Sequence, residues 1–140
     1  MDKPSKKDLN SANRKDVHID LAKSDISRSS LSHPLDSVTL PYNSLPEINL
    51  DEVDTSCRFF DHTLSFPFMI TGMTGGTERG DKLNLAFAEI ANQCRVALGI
   101  GSQRSSLAHG RSQKQLRRLA PSIPIIGNIG GVQLAQENGL

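Results

Sequence analysis

The spacing of apolar residues changes character at residue 64. Beyond it, three short apolar runs, Phe66 to Thr71, Val96 to Ile100 and Ile123 to Gly127, are bounded by turn residues. Such runs predict strands buried on both faces. Ile70, Leu98 and Ile126 mark them at a regular interval of 28 residues. After the first run, Leu83, Phe87, Ile90, Ala91 and Cys94 follow the stripe of an amphipathic helix, with Thr77 placed to cap its start. Leu116 and Leu119 predict a shorter helix over Ser112 to Leu119. Strand, glycine-bearing turn, helix and next strand at a fixed period imply a βα repeat with parallel strands, an α/β fold.

Before residue 64 the pattern is different. Residues 37–64 are punctuated by Pro41, Asn43 and Pro46, and Leu45, Ile48, Leu50 and Val53 are scattered between them. Leu45-Pro46-Glu47-Ile48 is predicted to be extended, because a residue before proline is pushed out of the helical region. This stretch reads as packing material without chemistry. From Met1 to Pro34 there are 12 charged residues and no aromatic. Such an arm cannot bury enough surface to offset its ordering entropy, so it is expected to be an extended, solvated tail that orders only against something else. The predicted organisation is an extended, charged arm over residues 1–36 and a βα domain over 37–140.

Composition narrows the function. The chain has 140 residues, 16 Lys+Arg against 15 Asp+Glu, and a net charge of +1, which excludes a general polyanion binder. No apolar run approaches the roughly 20 residues of a membrane-spanning helix, and the first residues lack the apolar core of a signal peptide. Cys57 and Cys94 have no CxxC partner, and the four histidines lack metal-ligand spacing, so no metal site is expected within the chain. These features predict a soluble, cytoplasmic protein with no nucleic-acid or membrane partner.

Each predicted strand ends in small and polar residues. Thr71-Gly72-Met73-Thr74-Gly75-Gly76, Gly99-Ile100-Gly101-Ser102-Gln103-Arg104 and Gly127-Asn128-Ile129-Gly130-Gly131 would all lie at one rim. Several consecutive strands offering such ends fit a (β/α)8 barrel better than a doubly wound sheet, whose ligand sits mainly at one switch point. Two nucleotide motifs fail. The Gly99–Gly101 segment has Arg104 where a dinucleotide fingerprint needs glycine, and the loop from Gly75 to Gly80 is followed by Asp81 where a P-loop needs lysine. Charge is uneven: Ile90 to Leu140 carries six basic residues and one acid, Glu137, which would attract a phosphorylated small molecule. Arg104 is the basic residue nearest a strand end, and its planar fork suits phosphate oxygens. Arg111, Lys114, Arg117 and Arg118 read as a solvated helix face.

Five segments together resemble type 2 isopentenyl diphosphate isomerase, a flavin-dependent family of isoprenoid biosynthesis. They are Arg14-Lys15-Asp16-Val17-His18-Ile19, the stretch from Leu45 to Asp54, Met73-Thr74-Gly75-Gly76, Gly101-Ser102-Gln103-Arg104 and Asn128-Ile129-Gly130. Their order and spacing follow the family along nearly the whole chain. Val17 departs from it, standing where the family usually has Glu. A (β/α)8 barrel needs roughly 250 residues, so the resemblance implies an N-terminal portion of the enzyme, about three βα units, inactive by itself.

The resemblance implies roles for particular residues. Gly72, Met73 and Thr74 would line FMN mostly through backbone groups, and Ser102 and Asn128 would hydrogen-bond it. Arg14 and Lys15 would fold over the site and bind the substrate diphosphate with Ser102, Gln103 and Arg104. The implied reaction is a 1,3-allylic proton shift converting isopentenyl diphosphate to dimethylallyl diphosphate, with reduced FMN, NADPH as reductant and Mg2+ held by ligands outside this chain. A homo-oligomer is expected at full length. Gln136-Glu137 imitates the family's metal-binding pair but follows Asn128 too soon to take that role. The alternatives are a noncatalytic phosphate- or flavin-binding module and another FMN-dependent barrel, such as a relative of the α-hydroxy-acid oxidases.

Overall fold

The structure, a computed structural model, describes residues 6–28, 30–104, 106 and 113–135. Its centre is a three-stranded parallel sheet, β3 (Met69–Ile70), β4 (Ala97–Ser102) and β5 (Ile125–Asn128), in the order β3-β4-β5. Consecutive strands are neighbours, as the repeat predicts, and the three do not close on themselves. Met69 pairs with Ala97, and Leu98 with Ile125. The observed strands start one to three residues later than the apolar runs, because Phe66, Phe68 and Pro67 precede the first ladder contact and remain exposed.

The helix α2 (Glu78–Cys94) crosses from β3 to β4 and begins where expected, at Thr77, whose hydroxyl accepts from Gly80 N at 3.1 Å. It ends at Arg95, which adopts φ +52 in the left-handed region and lets Val96 N reach Ala91 O at 3.0 Å. The buried face matches the predicted stripe in part: Ala91 is buried and Phe87 packs against the core, but other stripe positions face outward. Gly80, Asn84, Ala88 and Ala91 are buried, whereas Ile90 is half exposed and Cys94 exposed. Small residues let the helix axis approach the sheet closely, so volume rather than hydrophobicity selects the inward face.

The core lies between the sheet and its helices. Leu98 and Ile100 alternate onto the helix side of β4, where they meet Ala88, Ala91, Val96, Ile123 and Ala120. Leu116 of the short helix α3 (Lys114–Leu119) completes this cluster, in agreement with the expected second helix; its predicted first residue, Ser112, lies outside the described residues. Arg117 is not simply solvated. Its Nη1 donates to Ala120 O at 3.1 Å and Ile123 O at 2.8 Å, tying the end of α3 to the approach into β5. The helix α4 (Gly131–Leu134) follows β5.

The N-terminal arm is not extended. It contains α1 (Lys6–Lys23), an 18-residue helix that packs on α2 and buries Ile19 to 2% exposure. Its described polar attachments come from the β3–α2 loop and the first turn of α2, about 60 residues away, so no local periodicity reveals them. The described side chains of residues 25–56 are exposed, and three 3-10 turns lie in this stretch, two of them closed locally: Asp36 accepts from His33 N, and Glu52 from Asn49 N.

Residues 57–64, read from sequence as loop, form an antiparallel hairpin of β1 (Cys57–Phe59) and β2 (His62–Leu64). It sits at the end of the sheet where the parallel strands begin. Ser65 N bonds Arg95 O at 2.9 Å, and His62 Nδ1 lies 3.2 Å from Ser122 O. Leu64 is buried there at 3% exposure. The hairpin therefore covers the end opposite the glycine turns. Among the described residues, no helix is long and apolar enough to cross a membrane.

Two glycines set how closely β3 can leave the sheet. A Cβ on Gly72 would stand 2.4 Å from the Ile100 carbonyl group, and one on Gly101 would stand 2.3 Å from Thr74 O. Backbone cannot retreat from such contacts without unpairing the strands. Gly72→Ala and Gly101→Ala are each expected to destabilise the protein by about 1–3 kcal/mol or more. Gly131→Ala, with nothing within 4 Å of the added carbon, leaves it unchanged. Urea unfolding of the three variants checks this.

Candidate functional site

The carboxyl ends of the three parallel strands form one rim. Ser102, the last residue of β4, is in register with Asn128, the last of β5, and Gln103 N donates to Asn128 O at 2.8 Å. Between Gly99 and Ser102 the register slips, so that β4 carries one more residue than β5 over this stretch. Such a bulge bends the strand and re-aims the residues beyond it. Ser102 and Asn128 are both exposed at this edge, and Met73, 58% exposed, follows β3 on the same side. The three groups expected to share a ligand thus lie at the ends of adjacent strands.

Thr74 does not join them through its side chain. It is buried to 5% exposure, and its hydroxyl lies beneath α2, where a Cβ on Gly80 would meet it at 2.7 Å. Among the described residues that hydroxyl has no hydrogen-bond partner, and the Thr74 carbonyl accepts from Asn84 Nδ2 at 3.1 Å. Gly101 draws the Thr74 backbone against β4, which turns its side chain inward. Any contact from the Thr74 hydroxyl to a ligand at the rim requires the loop to move.

A cleft of about 330 Å³ opens between this rim and the helices. Gly75, Gly76, Asp81 and Asn84 form one wall, Ser102 and Gln103 the strand end, and Gln113 and Leu116 the other wall. Gln103 is held by amide contacts, donating to Gly101 O at 2.7 Å and accepting from Gln113 Nε2 at 2.6 Å. Gln113 also donates to Ser106 Oγ at 3.1 Å. Sequence reading found Gln103 but not its partner Gln113, which is ten residues away across a turn. Arg104 is exposed just beyond Ser102, its N–H directed to Ser102 Oγ at 3.4 Å.

The α1 helix reaches the same loop with two consecutive residues. Lys15 Nζ donates to Gly75 O, and Asp16 Oδ1 accepts from Thr77 Oγ1 at 3.0 Å. Thr77 thereby caps α2 with its oxygen and anchors α1 with its proton. Arg14 is exposed on α1, and no described contact brings it to the rim. Asp81 explains why the P-loop resemblance fails: its carboxylate accepts from Gly76 N at 2.8 Å, occupying a loop amide that a phosphate would otherwise use. Among the described residues, no three His, Cys, Asp or Glu side chains are grouped to hold a metal ion. His109, Arg111, Gln136 and Glu137 lie outside the described residues.

The arrangement is that of a parallel βα protein with small and polar residues at the carboxyl ends of its strands, the usual position of ligand sites in open and closed α/β sheets alike. No family model matches the chain. It is similar to proteins named isopentenyl-diphosphate delta-isomerase: that of Metallosphaera sedula is 37% identical over 131 residues, 91% of this chain and 36% of the relative. That of Vibrio campbellii is 38% identical over 130 residues, 90% of this chain and 38% of the relative, and that of Rickettsia africae is 38% identical over 123 residues. The chain spans a little over a third of the length of these relatives.

A further pair holds α1. Arg79 Nη2 donates to Asp20 Oδ1 at 2.6 Å, and this bond, more than the charge itself, holds the Asp20 carboxyl below its ordinary value of 3.8. A depressed carboxylate contributes stability that is present above its unfolded pKa and lost as pH falls through the folded one. Docking of α1 is therefore expected to loosen as pH drops below 3.8. Amide hydrogen exchange along α1 at pH 6 and pH 3 checks this, and Asp20→Asn should remove this component of the pH response.

Proposed function

We propose that this chain carries the first βα units of a flavin-dependent, type 2 isopentenyl diphosphate isomerase built on a (β/α)8 barrel. The observation that carries the reading is the 37–38% identity, over 86–91% of the chain, to proteins named isopentenyl-diphosphate delta-isomerase. The flavin-dependent type is favoured by the parallel strand order and by the chemistry of the rim. An exposed apolar Met73 after β3, with the Ser102 hydroxyl and the Asn128 amide at the ends of the next two strands, suits the face and polar edge of a planar heteroaromatic ring. On this reading FMN is held by the backbone of Gly72 and Met73 and by Ser102 and Asn128. Thr74 joins them through its backbone, its hydroxyl being turned beneath α2.

The substrate diphosphate is assigned to Ser102, Gln103 and Arg104 at the end of β4, with Lys15 and Arg14 approaching from α1. Arg104 offers paired donors to phosphate oxygens, and Lys15 a single compact charge. The allylic shift adds a proton at one alkene carbon and removes one at another, so the developing positive charge must be shielded from water. Reduced FMN, regenerated by NADPH, supplies an electron-rich neighbour and proton carrier for that chemistry. Mg2+ on the diphosphate is assigned to ligands outside this chain. A cytoplasmic homo-oligomer completes the reading.

The test joins this chain to the part of the Vibrio campbellii relative outside the matched 130 residues. The product is expected to be yellow with bound flavin and, once reduced, to convert isopentenyl diphosphate to dimethylallyl diphosphate. A folded but colourless protein, or bleaching by 2-hydroxy acids without isomerisation, overturns the reading. In the active protein, Arg104→Ala is expected to weaken diphosphate binding by about 1–3 kcal/mol, the range for a lost charge-assisted bond. Asn128→Ala lowers flavin retention instead, and Ser102→Ala, at a residue assigned to both groups, lowers both. Titration with isopentenyl diphosphate and the flavin-to-protein absorbance ratio separate the two effects.

A further inference from the structure

A single peptide unit, the one joining Gly75 and Gly76, is gripped at both of its polar atoms. Its carbonyl accepts from Lys15 Nζ on α1, and its N–H donates to Asp81 Oδ1, 2.8 Å away in the first turn of α2. The flanking glycines have φ +148 and +78, a region that side-chain-bearing residues rarely adopt. Glycine on both sides leaves such a peptide few steric preferences of its own. Its orientation is set by the two side chains that hold it. Gly75, Gly76 and Asp81 all line the cleft.

From this geometry we propose that Asp81 is a positioning residue for Lys15. By fixing the N–H side of the Gly75–Gly76 peptide, which borders the cleft, the carboxylate fixes where the carbonyl projects on the other side, and so where the Lys15 ammonium stands against Gly75. A lysine stem is long and flexible, and its three-donor head can bond a carbonyl and an anionic oxygen together. Anchored on Gly75, the ammonium meets an incoming diphosphate with less ordering left to do. Asp81 also keeps the Gly76 amide occupied, which directs the anion toward Lys15 and away from the start of α2. Asn84, bonded to Thr74 O, steadies the preceding residue of the loop. The proposal rests on the reading that Lys15 binds the diphosphate.

The experiment uses the full chain with inorganic pyrophosphate as the probe, measuring its affinity by calorimetry and exchange at the Gly76 amide by NMR. Asp81→Ala should speed Gly76 exchange by about tenfold or more, as a clamped amide is released, and weaken pyrophosphate by a similar factor. Asp81→Asn keeps an acceptor oxygen, so both quantities should stay within about threefold of the parent. Asp81→Ser, too short to reach the amide, repeats the test should the alanine variant not fold. In a Lys15→Ala background, Asp81→Ala should have no further effect on affinity, since the group it positions is gone. Lost affinity in Lys15→Ala with unchanged affinity in Asp81→Ala overturns the proposal alone, as does an asparagine variant that behaves like the alanine one. Unchanged affinity in Lys15→Ala overturns the diphosphate reading of Lys15 and the proposal with it, whereas the Gly76 exchange rate still reports whether the clamp exists.

Discussion

The close backbone contact between the end of β3 and β4 organises the rest of this protein. Gly72 lies against the Ile100 carbonyl, and Thr74 crosses Gly101, at separations that leave no room for a Cβ on either glycine. Because the chain leaves β3 pressed against its neighbour, Met73 emerges beside the strand ends that carry Ser102 and Asn128. The same contact turns Thr74 inward and delivers Gly75, Gly76 and Thr77 to the start of α2. A looser exit from β3 would separate the rim from the helix that frames it.

The second organising feature is polar. Among the described side chains of α1 only Ile19 is deeply buried, yet the helix is fixed to the β3–α2 loop by Lys15 and Asp16 and to α2 by Asp20 and Arg79. These bonds tie the most charged part of the chain to the loop that shapes the cleft. A disturbance at the rim is therefore transmitted to α1 through hydrogen bonds rather than through a core. Thr77 is the shared point, since one hydroxyl serves both helices.

The βα order, the parallel strands and the existence of α2 follow from apolar periodicity and turn chemistry, and each can be read along the chain. The inward face of α2 cannot, because Gly80 and Asn84 carry no hydrophobic signal and are buried for their size and for the Asn84 bond to Thr74. The hairpin over residues 57–64 was hidden for a related reason: it is docked by contacts to Arg95 and Ser122, far along the sequence. The glycine turns pointed correctly to a rim, but the burial of Thr74 depends on how closely two strands approach.

Taken alone, the amino-acid order determined a repeating α/β chain whose small and polar residues collect at the strand ends, and it placed the basic surplus in the second half. Those properties are local, arising from side-chain period, turn preference and composition. Only the tertiary structure decided that the charged arm is a helix, that Asp81 fills its own loop and that Lys15 meets Gly75. Each of these joins groups whose encounter depends on where the sheet carries them, and spacing along the chain holds no record of that distance.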